Sequence, residues 1–265
     1  MKHLLYFLLL LTTRTAFTQS DNEFTVPLSN PAKRGKLKVH INYGSITVKG
    51  TARKDVLIRY AADQEEPSEK KEARNGLRRI SGGAVDLEAS ENENFVKVSS
   101  DSWSKKINIE VEVPNGMDLQ LHTYNDGDIN VTSVQGDLEI NNYNGEIHAS
   151  NISGSIVAST FNGEIKATFD NITEGAPMSF STYNGDIDLT FPGTLKASLK
   201  LNTQQGEVLS DFDVSLVKSG PVQKKDTRNG VYKVVVDEWV KGDISGGGPE
   251  FMMKTYNGDI IIRKK

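Results

Sequence analysis

The sequence predicts an all-β chain, wound as a parallel β-helix-like solenoid with one short helical or lid insertion. Three observations predict it. The hexapeptide TYNGDI occupies 182–187 and again 255–260, with near-copies NYNGEI at 142–147, TFNGEI at 160–165 and the longer TYNDGDI at 123–129. Gly127, Gly136, Gly145, Gly154 and Gly163 follow one another at intervals of nine residues. After each glycine polar and apolar residues alternate, as in Asp137-Leu138-Glu139-Ile140 and Glu164-Ile165-Lys166-Ala167. That is the period-2 signature of a half-buried strand, and self-similarity at about 18–22 residues marks a solenoid. The unit reads as strand, glycine corner, strand, corner.

Taken in order, residues 1–18 read as a signal peptide. An apolar run from Leu4 to Leu11 precedes Ala16 and Thr18, a small-x-small pattern that places cleavage near Thr18. The run is shorter than the roughly 20 apolar residues that span a bilayer, and no later segment is long enough, so no transmembrane segment is expected. Residues 19–34 form an N-terminal extension and 35–265 a single solenoid domain. NYGSITV at 42–48 supplies an early copy, with Gly44 ahead of Ile46 and Val48. The charged stretch 62–80 begins near a proline and carries Gly76 where a helix would end, which predicts the short helix or lid. Through the regular copies, Ile129, Ile147, Ile165, Ile187 and Ile260 fall into one interior column and Leu138 and Ile156 into another, about 4.8 Å per step. Ala149, Ala158 and Ala167 let a narrow interior close. Residues 218–232 read as a long surface loop, followed by a strand at 233–240 and the Gly246-Gly247-Gly248-Pro249 corner. The closing IIIRKK reads as a charged guard on an open strand edge. The Asn-Gly dipeptide is also a strong hairpin signal, so an antiparallel meander or sandwich is the rival fold; reversal at each corner would not stack identical motifs in register.

Composition narrows the classes. There is no cysteine, which excludes disulfides, thiolate metal sites and a cysteine-linked lipid anchor. Removing Lys2 and Arg14 with the leader leaves 29 basic residues against 35 acidic, a net of −6. Such a chain lacks the basic footprint of a nucleic-acid binder. The expected location is extracytoplasmic: periplasmic, cell-surface or secreted.

The stretches INIEVEVPNGMDLQLHTYNDGDINV at 107–131 and GDISGGGPEFMMKTYNGDIIIRK at 242–264 resemble the bacterial putative-adhesin family of domains of unknown function, the toastrack and head-GIN type. The resemblance covers about residues 35–265. It implies a right-handed β-helix-like fold, in keeping with the handedness of parallel crossovers, and it implies no catalytic residues. The extra Asp126 departs from the hexapeptide and predicts a bulged corner.

Two rows of side chains are the candidate sites. The acids after the corner glycines, Asp128, Glu146, Glu164 and Asp186, continued by Glu207 and Asp259, form a column one coil apart. Carboxylates about 5 Å apart repel by roughly 1 kcal/mol even at the dielectric of water. They splay into solvent, shift their pKa, or share a hard cation such as Ca²⁺; no other cofactor is expected. A stacked acidic column supplies a retaining glycosidase's carboxyl spacing at every step and so discriminates nothing; no step pairs a buried acid with an exposed one. The aromatics Tyr124, Tyr143, Phe161, Tyr183 and Tyr256 form the second row. Leu119, Leu121 and Thr123 share parity and face inward, which puts Tyr124 outside. Beside the amides of Asn144, Asn162 and Asn184 (with Asn125 and Asn257), such rings either grip a glycan or peptide or simply stiffen the corner. His40, His122 and His148 stand full turns apart with no metal-ligand spacing, and Trp103 and Trp239 read as cap or packing residues. The expected function is a non-enzymatic, adhesin-like binding module that presents a repetitive Tyr/Asn/acidic face to a glycan or an envelope protein. A purely structural or assembly module is the alternative, and a polysaccharide-active enzyme the third.

Overall fold

A computed structural model describes residues 22–62, 86–217, 222–228, 231–237 and 239–265, with backbone alone for 222–228 and 231–237. The expected signal peptide and nearly all of the expected 62–80 insertion lie outside the described residues. In chain order, β1 (Glu23–Pro27), β2 (Lys36–Tyr43), β3 (Ile46–Thr51) and β4 (Asp55–Ala62) come first, then β5 (Glu88–Asn92), β6 (Phe95–Ser100) and β7 (Ile107–Pro114). The regular coils use β8 (Asp118–Asn125), β9 (Ile129–Thr132), β10 (Leu138–Asn141), β11 (Ile147–Gly154), β12 (Ile156–Ser159), β13 (Ile165–Ile172), β14 (Met178–Ser181) and β15 (Ile187–Phe191). After them come β16 (Ala197–Asn202), β17 (Val208–Ser210), β18 (Val214–Val217), β19 (Val222–Arg228), β20 (Val231–Asp237), β21 (Val240–Ile244), β22 (Glu250–Lys254) and β23 (Ile260–Lys264). No helix among the described residues is long and apolar enough to cross a membrane.

The fold is the expected β-solenoid. Two large sheets face each other, one of ten strands in the order β1-β4-β7-β3-β9-β11-β13-β15-β23-β17, the other of eleven in the order β18-β21-β16-β22-β14-β12-β10-β8-β2-β6-β5. Alternate coil segments feed alternate sheets, and the central pairs are parallel with matching register. Ile147 lies opposite both Ile129 and Ile165, Ile165 opposite Ile187, and Ile187 opposite Ile260. Leu138 lies between Leu119 and Ile156. These side chains are buried, and the interior between the sheets is apolar along its whole length, with Phe169, Phe180, Phe191 and Phe251 filling the C-terminal half. Ala149 and Ala167 lie opposite each other, and Ala158 lies beside the larger Phe180, the small-to-large fit a narrow interior demands.

The glycine corners obey a constraint beyond local turn chemistry. A β-carbon built on Gly145, Gly163, Gly185 or Gly258 would stand 2.1–2.2 Å from the carbonyl oxygen of the glycine one coil below. Glycine therefore stacks on glycine, and the coils can approach to sheet spacing only because no side chain intervenes. At the TYNDGDI corner the inserted Asp126 takes the left-handed conformation (φ 49°), so the bulged corner is present.

Three expectations are corrected. First, the coils do not stack in simple chain order. The β2–β3 coil lies between those of β8–β9 and β6–β7, and the last coil, β22–β23, inserts between β14–β15 and β16–β17. Second, IIIRKK is therefore no edge guard: Ile260 and Ile262 are fully buried, Arg263 holds Asp188 at 2.8 Å, and Lys265 holds Asp170 at 2.5 Å. The outermost strand of that sheet at this end is β17. Third, the described residues of the expected long loop 218–232, namely 222–228 and 231–232, are strand. β19 and β20 pair antiparallel from Val222–Asp237 to Arg228–Val231. The Asn229-Gly230 pair that joins VQKKDTR to the valine-rich VYKVVVD in sequence is a hairpin signal. Among the described residues antiparallel pairing is confined to the ends of the stack and this hairpin: β1 with β4, β4 with β7, β5 with β6, and β21 with β16 and β18.

Candidate functional site

The repeated corner brings four rows of side chains together along one edge of the solenoid. Residues alternate inward and outward as β8 ends, so Thr123 is buried while Tyr124 is 39% exposed. The same parity holds at every later copy. The first letter of each hexapeptide forms the inner row: the hydroxyls of Thr123, Thr160, Thr182, Thr203 and Thr255 donate to the carbonyls of Gly44, Gly145, Gly163, Gly258 and Gly185 at 2.7–3.0 Å. Asn142 does the same with its side-chain amide, 2.9 Å from the Gly127 carbonyl. This row satisfies carbonyls that the corner would otherwise strand in the interior. Sequence reasoning missed it, although its signal was the constant Thr or Asn ahead of each aromatic.

The aromatic row is continuous. Tyr124, Tyr143, Phe161, Tyr183 and Tyr256 stack with centroids 4.7–5.1 Å apart and interplanar angles of 2–7°. Each ring is about two-fifths exposed. The stacking consumes the faces and leaves ring edges and the hydroxyls of the four tyrosines toward solvent. Trp103 packs edge-on against Tyr124 at 5.2 Å and 73°, ending the row at the N-terminal side, and is itself 62% exposed. Trp239 lies away from the row under the Lys200 ammonium.

The asparagines form a hydrogen-bonded ladder. Nδ2 of Asn162, Asn184 and Asn257 each donates to Oδ1 of Asn144, Asn162 and Asn184 at 2.7 Å, and Asn144 reaches Asn125 at 3.3 Å. Their backbones join too, since the N–H groups of Gly145, Gly163 and Gly185 donate to the carbonyls of Asn162, Asn184 and Asn257 at 2.8 Å. The corner thus carries the parallel ladder around the bend. The amides are largely spent on one another.

The acidic row divides in two. Asp128, Asp186 and Asp259 accept the backbone N–H of Glu146, Asp259 and Glu207 at 2.8–2.9 Å, a staple from one coil to the next. The longer Glu146 reaches sideways to His148 at 3.2 Å and Glu164 approaches Lys166 at 4.0 Å. Among the described residues no three His, Asp or Glu side chains converge on a common point, so Asp128, Glu146, Glu164 and Asp186 are brought into line without forming a cage.

Two histidines expected to stand full turns apart are neighbours, because β2 pairs directly with β8. His40 and His122 lie in register and stack at 4.6 Å and 14°. Burial first, then the charges of His40 and Lys38, hold the His122 imidazole below its ordinary value of 6.5. The folded state thus favours neutral His122, so stability is full above pH 6.5 and falls as pH drops from there toward the lowered value. The melting temperature is expected to decline between pH 7.5 and about 5, and His122→Gln should flatten that part of the profile.

A family model, Toastrack DUF4097, matches residues 77–245. No curated protein matches the chain. Among solved structures, a putative cell adhesion protein from Clostridium sporogenes ATCC 15579 superposes with a TM-score of 0.50, covering 92% of this chain and 99% of its own at 12% identity. A putative adhesin from Bacteroides fragilis NCTC 9343 is 11% identical over 93% of this chain and 98% of its own, with a TM-score of 0.29. At 12% identity the first likeness speaks for the fold alone.

Proposed function

The chain belongs to the Toastrack DUF4097 family, and from that premise we propose that it is a non-enzymatic, adhesin-like binding module working outside the cytoplasm through its aromatic corner. One observation carries the reading: five exposed rings in unbroken register, with tyrosine hydroxyls beside them and an acidic row one corner glycine further on. A repeating edge of this kind matches a ligand that itself repeats, a glycan or an extended segment of an envelope protein. Because the stack covers the ring faces, the contacts on offer are hydroxyl hydrogen bonds and apolar ring edges. The cell adhesion label of the structural neighbour is consistent with this reading.

The alternative, a ladder that only stiffens the corner, draws on the same covered faces. Paired variants separate the two. Tyr143→Phe with Tyr183→Phe keeps the stack and removes two hydroxyls; Tyr143→Ala with Tyr183→Ala breaks the stack. On a polysaccharide pull-down panel, the binding module is expected to lose about tenfold or more in affinity in both pairs, about 1.4 kcal/mol or more. The melting temperature should drop only in the alanine pair, since a stacked pair is worth about 0.5–1.5 kcal/mol. A lowered melting temperature with retained binding assigns the row to structure.

A further inference from the structure

The opposite corner of the solenoid holds a second candidate site, built from segments far apart in sequence. Residues 28–35, the β3–β4 turn and the β7–β8 turn enclose a cleft of about 440 Å³, inside the range of about 300–1,000 Å³ typical of small-ligand sites. Lys33, Arg34, Arg53 and Lys54 line it, with Leu28 and Met117 as buried apolar members, and no acidic side chain does. Two of these four cations, the lysines, are left without a carboxylate partner among the described residues and add positive charge to this concave surface.

The lining is held in place. Asn94, buried and left-handed at φ 64°, accepts the Asn30 N–H at 2.7 Å and donates to the carbonyls of Asn30 and Lys33 at 2.6 and 3.3 Å. Glu91 accepts both the N–H and the hydroxyl of Ser29 at 3.0 Å. Asp118 binds Arg34 through two guanidinium nitrogens and Asp137 reaches it at 3.3 Å, while Asp55 binds Arg53 at 2.8 Å and Glu112 approaches it at 3.9 Å. These acids fix the two guanidinium forks and offset their charge. Lys33 and Lys54 carry no ion pair among the described residues and are the cations of the cleft left for a ligand.

The geometry points to a binding site for a phosphomonoester carried on a small body. The dianion lies between the two lysines and the held arginines, and the body rests on the accessible Pro31, Ala32 and Pro114 of the lining. Oriented guanidiniums and ammonium point charges are the pairing that phosphate oxygens favour. This site is separate from the aromatic corner and stands or falls without it.

Titration calorimetry of the full chain at low ionic strength tests it, with glucose 6-phosphate against glucose as soluble probes and vesicles with and without phosphatidate as the membrane arm. Glucose 6-phosphate is expected to bind and glucose not to. Lys33→Gln with Lys54→Gln should weaken that binding at least tenfold, at unchanged circular dichroism, and added salt should weaken it further. Binding in either arm that the lysine variant weakens upholds the assignment, and the arm that responds tells whether the group arrives on a soluble molecule or a lipid. Equal binding of glucose, equal binding by the variant, or silence in both arms overturns it.

Discussion

Gly163→Ala is expected to destabilise the chain by about 4 kcal/mol or more, a large part of the roughly 5–15 kcal/mol that holds a domain folded. The added carbon would sit 2.1 Å from the Gly145 carbonyl oxygen, at φ +151°, where side chains are strained in any case. It has no room to yield. Gly145 donates to the Asn162 carbonyl at 2.8 Å, and the Gly163 carbonyl accepts the Thr182 hydroxyl at 3.0 Å. Separating the two coils would strain the Asn162–Asn144 ladder and the Phe161–Tyr143 stack on the same corner. Gly116→Ala is the control: a β-carbon there meets nothing within 4 Å, and its φ is an ordinary one, so its effect should stay within about 0.5 kcal/mol. Urea denaturation of both variants checks the pair. Similar midpoints would mean that coil spacing does not depend on the bare glycine column.

Removal of residues 250–265 is expected to leave no cooperatively folded protein. In a solenoid stacked in chain order, loss of the last repeat merely shortens the array, because each repeat touches only its neighbours. Here β22 and β23 lie between coils, pairing with β14 and β15 on one side and with β16 and β17 on the other. Their deletion takes away the buried Phe251, Met253, Ile260 and Ile262, on the order of 10 kcal/mol of apolar burial at about 1.5–3 kcal/mol per side chain. It also uncovers Phe180, Ile187 and Leu189 and cuts β17 off from its sheet. Far-UV circular dichroism and a thermal melt of the truncated chain give the readout; a sharp transition near that of the full chain would contradict the interleaved order.

Local rules made much of this legible. The Ile129–Ile147–Ile165–Ile187–Ile260 column follows from the period-2 pattern and the corner motif, and even the adjacency of the two identical TYNGDI copies in space echoes their identity in sequence. The exposed Tyr124 followed from the inward parity of Leu119, Leu121 and Thr123. Illegible features were those set by stacking order. Nothing local in IIIRKK distinguishes a strand at an edge from one inserted between coils, since both want alternate apolar residues. His40 and His122, 82 positions apart, meet only because β2 docks on β8. Lys33 and Arg34 share a cleft with Arg53 and Lys54 because one coil, β2–β3, separates them. The Asn229-Gly230 signal was present, but its meaning was eclipsed by a chain in which Asn-Gly elsewhere turns a parallel corner.

The out-of-order placement of the first and last coils bears on how such a protein changes length over generations. Between β8 and β15, neighbours in space are neighbours along the chain, so a duplicated segment of about one period can slip in and find ready-made partners on both sides. At either terminus a duplicate would have to displace a coil already wedged between two others. An added period would therefore find partners on both sides most simply in the middle of the stack, the stretch that carries four of the five rings.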